Sequence, residues 1–521
     1  MSDLQQKITR RFCVFNLVLL AILATWLWYQ NQPVQLPDAP IPPGEKIQCI
    51  SYSPYYNKEV TPLNINTRIS PEQIEQDLAL LSKQFECVRI YSVGQGLDHV
   101  PKVAQKLGMK VYLGVWIGWI KNLNEKELNL AISLANEYPE TVKAIIVGNE
   151  VLLRGEQSEA SLKAYIQKAK QAVKVPVSYA DVWEFWRKHP KLENSVDFVT
   201  VHILPYWEDK PQPIEKAVDH TINVMHLLTT SFHKPILIGE TGWPEIGRQR
   251  DGSKPSALNQ ALYIRSFLQI AQEKKWNYNL IEAFDQPWKR KLEGTVGGYW
   301  GIYNAHFEQK FPLSGPLAER NDGKKPLIAG LIGAVIFLIL GLSTQLLSPM
   351  NALALASLGA AAGLFGLLQQ EYLLAACRNQ QEYLALGGIA AIGWVTLLAQ
   401  PSYLFKDNRN TKTFIRFSAI ALMLAAIVAS YLLITDGRYR DFAIALYALP
   451  VLQISLALEL TGRSIRYSFG PMKFLIVILM LLAIGCLYQE PNNYLAWVWL
   501  AINFMLAYVN WPKKPSLKAF D

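Results

Sequence analysis

The sequence has few cysteines and histidines, and they are not spaced as metal ligands. Five cysteines and seven histidines occur among 521 residues, with no C-x-x-C motif and no histidine-rich cluster. Short, regular spacings of these residues are the usual sequence sign of a metal site, so none is indicated. The sequence also implies no cofactor and shows no internal repeat.

The five cysteines fall into two groups. Cys13, Cys377 and Cys486 lie in or near long apolar stretches, whereas Cys49 and Cys87 lie near the starts of the first two predicted strands. A disulfide between Cys49 and Cys87 fits an oxidising compartment. Two free buried thiols are the preferred interpretation.

Ionisable residues are scarce in the apolar region from Pro326 to Trp511. Ion-coupled transporters usually carry such groups at mid-membrane, so a plain transporter is disfavoured. Gln453 and Asn503 are the main deep polar residues, and glycine-rich runs at 357–366 and 386–393 favour close helix packing. The preferred interpretation of this region is a membrane anchor and assembly platform, rather than a conduit for glucan.

Apolar runs long enough to cross a bilayer occur at both ends of the chain. The hydrophobic fraction is 51%, and residues 12–29 form one such run. It is interpreted as an uncleaved signal anchor within residues 1–30, because no small-x-small cleavage site follows. Seven further spans are predicted within a C-terminal domain at 323–521: 326–348, 351–371, 383–404, 414–435, 441–460, 472–488 and 493–511.

The basic residues predict the orientation of these spans. Lys7, Arg10 and Arg11 precede the first span, which places the N-terminus in the cytoplasm and residues 30–325 outside. The predicted inner loops and tail hold Lys406, Arg409, Lys412, Arg416, Arg463, Arg466, Lys473, Lys513, Lys514 and Lys518. The outer flanks hold Lys324, Lys325, Arg378, Arg438 and Arg440. The net charge of +9 is thus expected of a protein in contact with membrane lipid, and no nucleic acid partner is needed.

Between the apolar regions, strand-like and helical segments alternate. A proline-rich linker at 31–46 precedes eight predicted strands: 47–55, 86–93, 110–118, 142–150, 175–181, 197–207, 234–244 and 278–288. Helical patterns lie between them, such as 70–84, which opens with a serine cap and a proline, and 159–173. This alternation predicts a (β/α)₈ TIM barrel over 47–322 followed by an all-α transmembrane domain. A doubly wound sheet is disfavoured, because no glycine-rich phosphate loop follows the first strand.

Two of these strands end in a glutamate. The fourth closes on Asn149-Glu150, and the seventh places Glu240 just past an apolar run. The carboxyl ends of barrel strands form the active face, and two facing carboxylates are what glycoside cleavage requires. Glu150 is the predicted acid/base and Glu240 the predicted nucleophile. The alternative is that each glutamate only caps the next helix.

Three motifs then resemble glycoside hydrolase family 17: VGNE at 147–150, IGETGWPEIG at 238–247 and EAFDQPWK at 282–289. The resemblance covers roughly 47–310 and implies a (β/α)₈ barrel, a retaining mechanism, and the same two roles for Glu150 and Glu240. It implies a β-1,3-glucan substrate. Gln286 stands where the family often has an acidic residue, and the helical region resembles that of bacterial membrane-bound members.

Other polar and aromatic residues near the strand ends are predicted to bind substrate, because flat rings with a polar edge suit sugar faces. The predicted binding residues are Asn149, Tyr52, Arg89, Tyr91, Tyr179, His202, Tyr206, Trp243, Glu282, Asp285 and Trp288. Further aromatic residues near the same ends are Trp116, Trp119, Trp183, Trp207 and Trp300. About half of the aromatic residues named are expected to line the cleft.

The sequence therefore predicts a membrane-bound retaining glycosidase acting on β-1,3-glucan polysaccharide or oligosaccharide. Its barrel is expected outside the cell (inner) membrane, on the periplasmic side in a Gram-negative cell. A β-1,3-glucan transglycosylase using the same site is one alternative. An inactive glucan-binding component of an export or assembly complex is another, and a glucan synthase or export complex is a predicted partner.

Overall fold

The structure of the protein is a computed structural model that describes residues 3–512, apart from 43, 58, 346–347, 407–408 and 463–469. It divides into two compact units. The barrel unit comprises Gln35–Ile246 and Gly252–Leu317, and the helical unit comprises the residues up to Val34, Gly247–Asp251 and the residues from Ala318 onward. Five basic residues used in the orientation prediction lie outside the described residues: Arg463, Arg466, Lys513, Lys514 and Lys518.

In the described part of the barrel unit, eight parallel strands close into a barrel in chain order. We label them β1 to β8: Ile47–Ser51, Phe85–Arg89, Lys110–Val115, Val142–Asn149, Val177–Val182, Val199–His202, Ile236–Thr241 and Asn277–Leu280. The predicted barrel fold is confirmed. Several strands are shorter than predicted because their C-terminal residues turn away into loops, so Glu282 and Asp285 lie beyond β8 rather than at its end.

The barrel strands are buried on both faces, which explains their nearly continuous apolar sequences. In β4, Ala144, Ile145, Ile146 and Val147 are each at most 1% exposed. Gly114 in β3 allows a close approach of neighbouring strands, because a Cβ there would lie 2.1 Å from the carbonyl oxygen of Ile90. Leu36 of the proline-rich segment belongs to the same hydrophobic core.

Helices follow the strands around the barrel. Their bounds are α2 Pro71–Leu81, α3 Val100–Lys106, α4 Lys121–Glu137, α5 Glu159–Ala172, α6 Trp183–Lys188, α7 Ile214–Ser231, α8 Ala257–Lys274 and α9 Arg290–Glu293. The predicted serine cap of the first is present, since Ser70 accepts a hydrogen bond from the backbone of Gln73. Ser158 and Ser256 cap α5 and α8 in the same way.

Cys49 and Cys87 lie directly opposite each other in β1 and β2. A disulfide joins them, with their Cα atoms 4.6 Å apart. The preferred interpretation of two free thiols was therefore wrong. The strand register explains the pairing, because it places both side chains on the same face of adjacent strands.

The helical unit begins with α1, Asp3–Gln30. Its other helices are α10 Lys325–Ser343, α11 Pro349–Ala376, α12 Gln380–Lys406, α13 Arg409–Thr435, α14 Ile444–Thr461, α15 Met472–Gln489 and α16 Tyr494–Asn510. Among the described residues, seven helices are long and apolar enough to cross a membrane, and α16 is a shorter apolar helix. These positions agree with the eight predicted spans, and 17 residues in α16 is close to the shortest length that spans.

Polar residues inside the helical unit pair with one another. Gln453 donates to Asn16 of α1 at 2.6 Å, and Gln400 donates to the Gln453 carbonyl at 2.7 Å. The predicted close packing at 357–366 is confirmed, since a Cβ at Gly359 would lie 2.4 Å from the carbonyl oxygen of Gly333. These contacts make α1 part of the bundle.

Candidate active site

The end of β4 makes a sharp turn that presents Glu150. Gly148 has a φ of 87° and Glu150 a φ of 54°, both in the left-handed region. A Cβ at Gly148 would lie 2.7 Å from a methyl group of Val151, so the turn requires glycine there. The side chain of Glu150 is 24% exposed. The sequence V-G-N-E therefore leads from a buried strand to an accessible carboxylate.

Glu240 is in β7 itself and is 6% exposed. The Tyr91 hydroxyl donates to its Oε1 at 2.8 Å, and the Arg89 Nη1 lies 3.5 Å from the same oxygen. Gly239 makes room for these groups, because a Cβ there would lie 3.1 Å from Arg89 Nη1. A hydroxyl donor and a guanidinium thus both stabilise the Glu240 carboxylate.

Arg89 connects the ends of the two strands that carry the glutamates. It donates to the Gly239 carbonyl at 2.6 Å and to Oδ1 of Asn149 at 2.7 Å, and it is 1% exposed. The contact to Asn149 uses the amide oxygen. The NH₂ group of Asn149 is therefore the part of its side chain that is left to donate to a sugar hydroxyl.

His202, at the end of β6, lies between the two glutamates. Its Nδ1 is 2.8 Å from Glu150 Oε1, and its Nε2 is 3.5 Å from Glu240 Oε1. Arg89 Nη1 lies 3.4 Å from the same Nε2. A carboxylate can only accept, so the Nδ1–H group of His202 donates to Glu150.

The surroundings of Glu150 favour its ionised form. Burial by itself raises the pKa of Glu150, but the hydrogen bond and charge of His202, with Arg154 and Arg89, lower the pKa overall. A hydrogen bond donated to a carboxylate stabilises the charged form, which accounts for the direction. The acid role needs the protonated form, so the contact with His202 bears directly on that role.

The two carboxylates are close. Single ligand atoms of Glu150, His202 and Glu240 all lie within 4.8 Å of one another. Carboxyl groups about 5 Å apart are typical of retaining glycosidases, whereas inverting enzymes leave about 6.5–9.5 Å for a water molecule. The same three side chains have donor types that bind metals, but the Arg89 guanidinium, 3.5 Å from Glu240, disfavours a cation there.

Four of the predicted binding aromatics are fully buried: Tyr52, Tyr179, Tyr206 and Trp243. Tyr52 donates to Asp77 of α2 at 2.8 Å, away from both catalytic candidates. Tyr206 and Trp243 are each 0% exposed and pack with ring centroids 5.8 Å apart. Trp243 also donates to the Lys254 carbonyl and so braces the loop after β7. The structure places these rings in packing positions, and a direct substrate contact for them stays a prediction.

Tyr179 lies beside the acid/base candidate. Its hydroxyl donates to Asp181 and accepts from the backbone N–H of Leu152 at 3.0 Å. Tyr179 therefore stabilises the turn after Glu150 through its contact with the Leu152 backbone. Burial raises the pKa of Asp181 to about 6.

The loop after β8 holds two buried ion pairs. Lys289 donates to Glu282 at 2.9 Å, and Lys310 donates to Asp285 at 2.9 Å. Burial raises the pKa of Glu282 to about 7, although Lys289 opposes that shift. Trp288, also in this loop, donates to Gln286 at 2.9 Å.

Gln286 has a structural explanation. It is fully buried, and its amide NH₂ donates to the carbonyls of Ser53 and Phe284 at 2.6 and 3.1 Å. An ionised carboxylate cannot donate either bond. The amide at this position is therefore matched to the backbone around it.

The sequence did not predict a role for three polar residues that lie near Glu150 and Glu240 or near their hydrogen-bond partners. Ser51 lies 2.8 Å from the Tyr91 hydroxyl, and Asn279 donates to both Ser51 and the Gly239 carbonyl at 2.8 Å. Burial and the charges of Glu150 and Glu240 raise the pKa of Glu293 to about 6, while Lys289 lowers it. Polar residues inside strands β1 and β8 were the available signal for Ser51 and Asn279. Glu293, on a short helix far along the chain, had none.

Comparisons with known proteins match the part of the chain that forms the barrel. Residues 49–301 match the BtgE/BtgC glycoside hydrolase domain. A protein described as a probable beta-glucosidase, btgE of Aspergillus fumigatus, is 28% identical over 235 residues, 43% of this chain. The glucan 1,3-beta-glucosidase BGL2 of Candida albicans is 26% identical over 265 residues, which are 46% of this chain and 85% of that protein. The chain spans about 40% of the length of btgE.

Among solved structures, the glycoside hydrolase family 17 beta-1,3-glucanosyltransferase of Rhizomucor miehei is 27% identical, with a TM-score of 0.45. The match covers 51% of this chain and 97% of that one. Residues 49–301 therefore resemble a glycoside hydrolase domain, and the predicted resemblance of the barrel to glucan-active glycoside hydrolases is confirmed.

Proposed function

We propose that the barrel is a retaining glycosidase that cleaves β-1,3-glucan by double displacement, with Glu240 as nucleophile and Glu150 as acid/base. The proposal rests on one observation: an oxygen of Glu150 and an oxygen of Glu240, at the ends of β4 and β7, lie within 4.8 Å of each other. This separation suits direct attack by one carboxylate on the anomeric carbon. The names of the relatives support β-1,3-glucan as the substrate class.

In the first half-reaction, the Glu240 oxygen bonds to the anomeric carbon as the glycosidic C–O bond breaks. Glu150 gives its proton to the departing oxygen, so the products are a glycosyl ester on Glu240 and a free sugar hydroxyl. Tyr91 and Arg89 hold the Glu240 carboxylate in place for attack. Burial and the charge of Glu240 raise the pKa of Tyr91, which keeps the phenol protonated and able to donate.

In the second half-reaction, ionised Glu150 removes a proton from water or from a sugar hydroxyl. The resulting oxygen attacks the anomeric carbon, and the Glu240 carboxylate is released. The contact from His202 favours the ionised Glu150 that this step needs. In the first step, by contrast, Glu150 takes up its proton against that contact.

We further propose that the helices hold this domain at the inner membrane, with the barrel on the periplasmic side. The disulfide between Cys49 and Cys87 supports an oxidising compartment. A glucan synthase or export complex as partner stays a prediction.

The test uses the full-length protein in detergent with laminarihexaose, and the products are followed by mass. Shorter products alone would establish a hydrolase, and longer products would establish a transglycosylase with the same intermediate. Glu240→Gln should abolish both. Binding without turnover by the wild type would contradict the proposal and favour an inactive glucan-binding component.

A further inference from the structure

Two tryptophans near the acid/base candidate are largely exposed. Trp116 and Trp119 follow β3 and are 43% and 71% exposed. Three apolar side chains in the nearby sequence are also exposed: Ile120 at 56%, Leu123 at 52% and Leu153 at 43%. Exposed apolar groups of this size, gathered in neighbouring segments, mark a binding surface more often than scattered single residues do.

The turn that carries these tryptophans is rigidly held. The backbone of Gly118 exchanges two hydrogen bonds with the Asn124 side chain, each 2.8 Å, and Asn124 is 2% exposed. Gln157, from the segment after Glu150, donates to the Gly118 carbonyl at 2.6 Å. Ile117 is fully buried. An indole on such a turn loses little conformational freedom on binding a ligand, which favours affinity.

This turn is connected to Glu150. Val115 at the end of β3 pairs with Val147 of β4, just before the turn that presents Glu150. The Arg154 guanidinium lies 4.5 Å from the centre of the Trp116 ring, and the Arg154 backbone donates to the Glu150 carbonyl at 2.9 Å. The tryptophans therefore lie on the side of Glu150 that continues toward β3.

The order of the strands says which part of a substrate reaches that side. In the closed ring, β3 is four strands from β7, the greatest separation available in an eight-strand barrel. Glu240 attacks the sugar that stays on the enzyme, and Glu150 contacts the oxygen of the sugar that leaves. A chain extending past Glu150, away from β7, is the leaving part of the donor or the incoming acceptor.

We propose that Trp116 and Trp119 form a platform that stacks the leaving and acceptor sugars of a β-glucan. Aromatic faces suit the apolar faces of sugar rings, and Arg154 and Glu156, paired at 2.6 Å, supply polar groups at the edge for hydroxyls. This inference rests on the proposed function and adds a residue-level basis for acceptor choice. A lipid surface or a protein partner would be the alternative occupant of the platform.

The experiment compares two donors on full-length wild type and Trp119→Ala. Laminarihexaose places sugars on both sides of the cleaved bond, whereas β-laminaribiosyl fluoride has only fluoride on the leaving side. Trp119→Ala should lower kcat/KM for laminarihexaose about tenfold, because one stacking contact is lost. The same variant should change kcat/KM for the fluoride less than about twofold. Trp119→Phe should restore part of the loss.

A second readout uses the fluoride as donor with added laminaritriose as acceptor. If longer products form, Trp119→Ala should raise the KM for the acceptor about tenfold. Leu130→Ala is the matched control, because Leu130 is an exposed apolar residue of α4 outside the platform, 38% exposed. It should leave both donors unchanged.

Equal losses with both donors would overturn the platform, because they indicate a general defect. Unchanged kinetics with both donors would overturn it as well and would point to the membrane or a protein as occupant. Failure of the proposed function is distinguishable, because wild type would then turn over neither donor. In that case the Glu240→Gln variant would behave like wild type.

Discussion

The ends of β4 and β7 each carry a glutamate, but they treat it differently. Glu240 is still within its strand, 6% exposed, and held by Tyr91 and Arg89. Glu150 lies one residue past its strand, in a left-handed turn, with its side chain 24% exposed and hydrogen-bonded to His202. The same residue type is therefore buried and held by two hydrogen-bond donors in one place and left partly exposed in the other. Under the proposed mechanism, position relative to the strand end distinguishes the nucleophile Glu240 from the acid/base Glu150.

The largest expected effect comes from replacing the glutamates one at a time. Glu240→Gln should lower kcat/KM on the order of 10⁴-fold or more for both laminarihexaose and β-laminaribiosyl fluoride, since neither donor can form the ester. Glu150→Gln should lower kcat/KM by about 10²–10⁴ for laminarihexaose. The same variant should change kcat/KM for β-laminaribiosyl fluoride less than about tenfold, because fluoride leaves without needing a proton. Equal losses on both donors in both variants would remove the distinction between the two sites.

Replacement of Arg89 should have the next largest effect, because this side chain contacts the ends of both strands that carry the glutamates. Arg89→Lys keeps the charge but loses the planar fork that reaches the Gly239 carbonyl and Asn149 together. Misplacement of the pair should lower kcat about 10²-fold with the fold retained by circular dichroism. Arg187→Lys, at an exposed arginine of α6, is the control. Wild-type kcat in Arg89→Lys would mean that the strand ends hold their geometry without it.

Tyr91 tests the Glu240 side alone. Tyr91→Phe removes one hydrogen bond to a carboxylate and should lower kcat about tenfold with little change in KM. Tyr278→Phe, on β8, serves as a control for removing a phenol hydroxyl from the barrel. A rise in KM with unchanged kcat would instead assign Tyr91 to substrate binding.

His202 tests the Glu150 side, and its effect is a shift in pH dependence rather than a large loss. The contact lowers the pKa of Glu150, so His202→Leu should raise that pKa. The acid must be protonated in the free enzyme, so the alkaline limb of kcat/KM for laminarihexaose should move to higher pH. His189→Leu is matched, because His189 contacts Glu159 at the same 2.8 Å outside the site. A limb that stays in place, or moves to lower pH, would contradict the role of this contact.

The sequence was sufficient for the barrel and for the positions of two glutamates at its strand ends. Periodic apolar strands and a carboxylate at the end of each of two strands are local signals, and Gly148 and Gly239 mark the close turns around them. Packing between distant segments was not predictable. Tyr52, Tyr206 and Trp243 were expected in the cleft because aromatic rings suit sugars, but their burial depends on Asp77 and on the loop after β7.

The disulfide and the contacts of His202 were also beyond the sequence. Pairing of Cys49 with Cys87 depends on the register of β1 and β2, which a shift of one residue would change. His202 was predicted only as one of several substrate-binding residues. Its place between Glu150 and Glu240 follows from the closure of the barrel, which brings β6 between β4 and β7.

The most direct test of the two roles is azide rescue of Glu240→Ala and Glu150→Ala with β-laminaribiosyl fluoride, reading the anomer of the glycosyl azide by NMR. In Glu240→Ala, azide takes the space of the missing nucleophile and attacks once, so the product should be the α-azide. In Glu150→Ala, azide attacks the ester on Glu240, so the product should be the β-azide. The opposite pairing of variant and anomer would reverse the assignment, and the same anomer from both would contradict double displacement by this pair.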